Sequence, residues 1–363
     1  MESGDGAKGC YIKEIKLRRE EARVEGLSVA MKRPTAIIVC PTMSQGNNGN
    51  LRTARRWRRM LAPVARATIA ARWTGEPAHL MVALHARRSA DSIAAWQAAR
   101  EQANGAERAP MIVVLTGTDL YLDIRSDARA QRSLQLADAL VVLQDQGPAS
   151  LPRAVRDKTA VIYQSGGRRK ALAKTRRHLR AVMVGHLRDV KCPQTLFEAA
   201  RLLRDRADIR IDHIGAALDP GYGRKATATA RLCPCYRWLG ALSHPDTLRR
   251  IQQAHVLINA SSMEGGAHVV LEAVRAGTPV LASRIPGNVG MLGADYAGYF
   301  PCGDAAALAR LLQRCRDEPG LLPKLRRQCR ERAARFEPRR EQQALQRLVL
   351  RLLPEARRAM ENR

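Results

Sequence analysis

Aromatic side chains make up only 4% of this 363-residue chain. Base-stacking platforms are built from aromatics, so the chain is poor material for one even at a formal net charge of +28. Acidic residues are also few: 34 Asp and Glu stand against 62 Lys and Arg. So basic a surface attracts polyanions and anionic membranes in general. The excess is mostly Arg and runs along the whole chain rather than gathering in one patch, which speaks against a dedicated nucleic-acid face. Long apolar runs are missing, and none approaches the roughly 20 residues a membrane span needs. The charged first 30 residues lack the apolar core of a signal peptide, and the expected location is the cytoplasm. Paired cysteine spacing is missing as well. The eight cysteines are scattered, and the closest two, Cys233 and Cys235, have one residue between them where a CxxC motif has two. Free thiols in a reducing compartment are expected, with no metal site.

What is present is alternation. Apolar β-branched runs at 36–40, 81–85, 111–116, 139–144 and 160–164 are separated by helical stretches at 53–62, 89–100 and 127–137. A basic segment, 166–180, has no apolar block and reads as a linker. The pattern restarts with runs at 181–185, 209–215, 236–240, 256–261 and 279–283, with helices expected over 194–204, 244–254 and 267–276. Such runs are what buried parallel strands look like. The expected fold class is α/β, with two doubly wound parallel sheets facing a central cleft. Residues 1–30 read as a charged, disordered extension. Residues 31–170 form the first Rossmann-like domain and 181–335 the second, followed by a helical tail over 336–363, the helical region being broken at Pro319, Pro338 and Pro354.

The segment EGGAHVVLE, residues 264–272, carries the sharpest chemistry. It follows the run at 256–261 and opens a helix near Gly266. A helix start offers unpaired N–H groups and partial positive charge to a phosphate. Glycines at 265 and 266 let a ligand approach the backbone, with the N–H of Ala267 beside them. Two carboxylates would repel that phosphate, yet they suit the paired hydroxyls of sugars. A nucleotide sugar has a diphosphate between two polyols: Glu272 would reach the ribose and Glu264 the hexose.

Residues 257–282, LINASSMEGGAHVVLEAVRAGTPVLA, resemble the signature of family 4 glycosyltransferases with the GT-B fold, in which a Glu-x7-Glu pair brackets the donor. RWLG at 237–240, ending on Gly240, resembles the same second domain. The resemblance covers about residues 34–350. It implies retaining transfer from a nucleotide sugar without a metal or other cofactor. The family's Gly-Arg-Leu-x3-Lys-Gly motif, whose cations grip the diphosphate, corresponds to GHLRDVKC. Gly185 and Lys191 match; His186 stands where the family has Arg, and Cys192 where it has the final Gly. The Arg role is open between His186 and Arg188.

In the first half, QGNNGN (45–50) is a turn fit for close approach to the donor or the acceptor, through Asn47, Asn48, Gly49 and Asn50. His85 matches an acceptor-side His of the family. TGTDL, with Thr116, Thr118 and Asp119, matches the family's His-Gly-Thr-Asp-Leu with Thr116 in place of His. That exchange removes a proton acceptor. Arg52, Arg55, Arg56, Arg87 and Arg88 make this side basic, fit for a small anionic acceptor. An acceptor already ionised needs little general-base help. The segments NNGN, TARRW, ALHARRSADSIAAW, VLTGTDLY, VMVGHLRD and GADYAGYFP together resemble members of the family that use selenophosphate as nucleophile on UDP-N-acetylglucosamine or UDP-glucose. Two other readings stand beside this one: transfer to a hydroxyl of a lipid or glycan, and a basic scaffold that binds nucleic acid or membrane.

Overall fold

The computed structural model describes residues 33–41, 49–102 and 108–354. The N-terminal extension, Cys10, Asn47 and Asn48 lie outside the described residues.

Period-2 burial of apolar runs builds the first sheet. In β1 (Thr35–Val39) Ala36 and Ile38 enter one core, while Ile37 and Val39 enter the core on the opposite face. The same split runs through β3 (Leu80–Leu84) and β4 (Met111–Val114). With β2 (Arg66–Ala70), β5 (Ala139–Val142) and β6 (Thr159–Val161) they make a parallel sheet of order β2-β1-β3-β4-β5-β6. Crossovers between parallel strands require connections that span the sheet face. Helices α1 (Gly49–Leu61), α2 (Ala90–Gln102) and α3 (Ala128–Leu136) supply them.

Residues 166–178 form no regular element and lead into the second sheet. It contains β7 (Leu179–Val184), β8 (Ile209–Ile214), β9 (Tyr236–Trp238), β10 (Val256–Asn259), β11 (Val280–Ser283) and β12 (Tyr299–Phe300), in the order β12-β11-β10-β7-β8-β9. Around it lie α4 (Pro193–Leu202), α5 (Pro220–Leu232), α6 (His244–Gln253), α7 (His268–Arg275), α8 (Pro286–Leu292), α9 (Ala305–Asp317) and α10 (Leu321–Arg332). The two Rossmann-like sheets are the architecture expected from the alternation. Strands β2 and β12 and helices α5 and α8 are additions to it.

The tail does not stay with the second domain. Helix α11 (Pro338–Leu352) buries Leu345, Leu348 and Val349 in the core that holds Trp57 and Leu61 of α1. The fully buried carboxylate of Glu341 fixes that crossing. It accepts three bonds from Arg56, two from Nε at 2.8 and 3.1 Å and one from Nη2 at 3.0 Å, one from Trp57 Nε1 at 2.7 Å, and two from the backbone and hydroxyl of Ser165, at 2.8 and 2.5 Å.

Candidate active site

The carboxyl ends of both sets of strands open on one cavity of about 780 Å³, the position where open α/β sheets take ligands. After β7, Gly185 leads into His186, Arg188 and Lys191; after β10 come Met263 to Ala267; from the first sheet, His85 follows β3 and Thr116 to Thr118 follow β4. Gly49, Asn50 and Arg52 reach in from the start of α1, and His244, His268 and Glu272 from α6 and α7. Gly240, at φ +66°, sits beside the lining residues Ala241 and Leu242.

Both glutamates of the Glu-x7-Glu pair line the cavity, each held by a cation. Glu264 Oε1 accepts from Lys191 Nζ at 2.5 Å and from Ser261 Oγ at 2.6 Å. Glu272 Oε1 accepts from Arg52 Nη2 at 3.0 Å and bonds His244 Nε2 at 2.9 Å. Arg52 belongs to the first domain, so its bond with Glu272 spans the cleft. An ammonium has three donors, so Lys191 can hold Glu264 and still reach an anion.

The glycine pair lines the cavity and has a second purpose as well. A Cβ on Gly265 would stand 2.3 Å from the carbonyl oxygen of Thr116, and one on Gly266 would stand 2.8 Å from Leu143 Cβ. Both neighbours belong to the first domain. The pair admits the facing domain's backbone as well as lining the cavity. Helix α7 also starts later than expected: its first residue is His268, and Ala267 N–H already points at Met291 Sδ, 3.2 Å away. The next two residues, His268 and Val269, both line the cavity, and a helix start leaves their N–H groups without intrahelical partners.

Between the two groups open for the family's Arg role, the electrostatics favour Arg188. His186 Nδ1 accepts from Ala216 N–H at 3.1 Å. Partial burial, then Arg188 and Lys191, push its imidazole below the usual range, toward the neutral form. Arg188 is exposed to the cavity and has no acidic partner among the described residues. Cys192, which replaces the family's Gly, holds φ +47° and ψ +53°, the left-handed region that glycine enters without cost.

On the acceptor side the predicted residues separate. Arg88 and Arg52 line the cavity; Arg55 faces solvent, and Arg56 is spent on Glu341. Arg87 turns outward to Asp127 at 2.8 Å and Asp123 at 3.5 Å. Asp119 is fully buried, and its carboxylate accepts from the N–H groups of Ala86, Thr116 and Gly117 at 2.8–2.9 Å. It is a clasp between two strand-end loops, not an acceptor contact. These placements correct the expected roles of Arg55, Arg56, Arg87 and Asp119, since each is either turned away from the cleft or saturated by partners. His85 is 3% exposed with φ +77°. Its Nδ1 accepts from Arg88 N–H at 3.3 Å, leaving Nε2 to donate to Thr118 Oγ1 at 3.0 Å. Thr116 Oγ1 receives Asn50 Nδ2 at 3.4 Å. His268 went unread in the sequence: it lines the cavity, with Nε2 3.4 Å from Thr53 Oγ1. Burial, with Arg56, Arg52 and His244 nearby, holds it far below the usual histidine range and so neutral.

The cavity thus carries four cations, Arg52, Arg88, Arg188 and Lys191, against two carboxylates that are both paired. That balance suits an anion flanked by hydroxyls.

Residues 168–336 match the family model described as glycosyl transferases group 1. The second domain is thus similar to group 1 glycosyl transferases over nearly its whole length. Among curated relatives, D-inositol 3-phosphate glycosyltransferase of Streptomyces coelicolor is 27% identical over 155 residues, 40% of this chain and 34% of that protein. Glycosyltransferase 1 domain-containing protein 1 of Xenopus tropicalis is 27% identical over 159 residues, 44% of this chain and 45% of that protein. The chain thus spans less than half the length of these relatives. Among solved structures, sucrose-phosphate synthase from Thermosynechococcus elongatus aligns with a TM-score of 0.72 at 17% identity, over 89% of this chain and all of that one. HepE from Anabaena, solved in complex with UDP-glucose, aligns at 0.68 and 14% identity, over 87% and 99%. The two facing domains form the GT-B fold. The match ends at residue 336, just before α11 crosses back to the first domain. No helix among the described residues is long and apolar enough to cross a membrane.

Proposed function

We propose that the chain is a selenosugar synthase: it moves a sugar from a UDP-sugar, UDP-N-acetylglucosamine or UDP-glucose, onto selenophosphate. The carrying observation is the arrangement Lys191–Glu264 and Arg188 on one side of the α7 start, with Glu272 a turn further on. Lys191, Arg188 and the N–H groups of His268 and Val269 would hold the diphosphate. Glu272 would take the ribose hydroxyls and Glu264 those of the hexose. Selenium attacks the anomeric carbon; the C–Se bond forms, the C–O bond to UDP breaks, and its electron pair leaves on UDP. Charge builds on the leaving diphosphate, and preorganised cations stabilise it. No metal is needed in this scheme, because Lys191 and Arg188 carry that load. Arg88 and Arg52 would hold the anionic acceptor near His85. With Nδ1 occupied, His85 positions rather than deprotonates, which an acceptor already ionised tolerates. Solved relatives with UDP-glucose, and with UDP, support the donor half of the reading; the sequence segments quoted above support the acceptor half.

A second reading keeps the donor and changes the acceptor. The curated relatives named for D-inositol 3-phosphate favour it, since a phosphate-bearing alcohol would suit the same arginines. A polyanion-binding scaffold is the weaker reading, because it leaves the paired Glu264 and Glu272 without a task. UDP release from both UDP-sugars, with and without selenophosphate and with D-inositol 3-phosphate as the rival, separates the readings. We expect release only with selenophosphate, undiminished by EDTA, and a product mass containing selenium. Lys191→Ala should lower turnover by roughly 10²–10³-fold. Turnover unchanged in that variant would sink the diphosphate assignment, and release with the inositol phosphate alone would sink the acceptor.

A further inference from the structure

A second cavity, of about 650 Å³, lies away from the cleft, at the amino ends of β10 and β11. The segment between the domains forms one wall with Lys174 and Arg176, and α10 forms another with Arg326 and Arg330, one turn apart; His255 and Gly277 complete it. The segment is tied down along its length. Leu172 N–H donates to Gln252 O at 3.3 Å, Lys174 Nζ donates to Ala254 O, and His255 Nε2 donates to Thr175 O at 3.0 Å. His255 Nδ1 accepts from Arg180 N–H at 2.9 Å, so both ring nitrogens are committed and the ring serves as a strut.

The charge lining this cavity is all of one sign: four cations converge on it and no carboxylate does. Some arginines of the second domain are paired, Arg206 with Asp208 and Asp317, Arg237 with Asp212, Arg314 with Glu318, and Arg316 with Asp208. Lys174, Arg176, Arg326 and Arg330 have no acidic partner among the described residues, and no carboxylate lines the cavity. Four like charges around one concavity repel each other. Lys174 is pushed down to about 8 chiefly by burial, with Arg326 adding to it. Guanidinium forks and an ammonium converging on one space match phosphate oxygens.

We propose that this cavity is a binding site for a small ligand bearing two or more phosphate groups, separate from the sugar-donor cleft. The ligand would bridge the inter-domain segment to α10 and so fix the chain where it passes between the domains. The claim does not depend on which reaction the cleft performs.

Inorganic pyrophosphate is the probe, and acylation of Lys174 by acetic anhydride, followed by peptide mass mapping of the full chain, is the readout. At ten times its dissociation constant, pyrophosphate should slow Lys174 acylation about tenfold. Protection should vanish in Arg326→Gln/Arg330→Gln, while Lys191, read in the same map, reports the cleft independently. Should that variant fail to fold, Arg176→Gln, whose side chain is exposed on the segment, carries the same comparison. An unchanged Lys174 rate overturns the proposal. So does protection that survives in the variants, because that is screening of the whole chain's charge. Given protection, sedimentation with phosphatidylinositol 4-phosphate/phosphatidylcholine vesicles, whose anionic headgroup carries two phosphates, assigns the source. Vesicle binding lost in the variants names a lipid phosphate; vesicle binding unaffected by them names a free one.

Discussion

A carboxylate without water must find its partners in the protein, and Glu341 shows how much one such residue can hold. Its six bonds join α11, α1 and the start of the inter-domain segment. Removing one partner of a buried ion pair strands the other charge, so Glu341→Ala should cost about 3–5 kcal/mol in urea unfolding. Loss of only a few tenths would mean that the pair is screened by water. Nothing in the local sequence around Glu341 reveals this, because Arg56 is 285 positions away. At the same scale, Glu272→Ala should raise the KM for the UDP-sugar at least tenfold, with a smaller change in kcat, as expected when binding common to ground and transition states is removed. An equal fall in kcat would place Glu272 at the reacting centre instead.

Among elements, the turn between β10 and α7 sets how closely the domains approach. The Cβ of Gly265→Ala would meet backbone at Thr116 rather than a side chain able to yield. We expect a larger radius of gyration in small-angle scattering and a fall in kcat/KM, with little loss of helical signal. An unchanged radius would show that the turn yields. Helix α4 makes a gentler case. Its N-cap, Cys192, pays about 1–2 kcal/mol for its left-handed backbone, and Cys192→Gly should recover part of it in thermal melting. The elements that escaped the sequence reading share a physical cause. Strand β2 is an edge strand whose residues are all exposed or half-exposed, so it needs no apolar run. Helix α5 buries Gly223, Ala226 and Thr229, a stripe too small to stand out as amphipathic. Strands with both faces covered, such as β3 and β4, were plain because burial on both faces demands unbroken apolar residues.

Over the whole molecule, the buried histidines set the acid limit. His213 is fully buried, and burial holds its imidazole down at about 4, against an ordinary 6.5. Above pH 6.5 neither folded nor unfolded chain carries that proton. Below it the unfolded chain takes up a proton that the folded one refuses. Stability should therefore fall as the pH drops from 6.5 towards 4, by on the order of 3 kcal/mol from this residue. Urea midpoints at pH 7 and pH 4.5 test this, and His213→Gln should show a flatter slope. A midpoint indifferent to pH across that window would show that the ring is reached by water.

The sequence alone determined the two α/β halves and the Glu-x7-Glu pair, because burial period and local spacing are written along the chain; Lys191 was marked by the resemblance of GHLRDVKC to a family motif. Only the tertiary structure decided which arginines face the cleft, that the glycine pair seats the opposite domain, and that the tail helix returns to the first core. Each of those depends on contacts between residues far apart in sequence, where charge and packing are settled by which partner arrives.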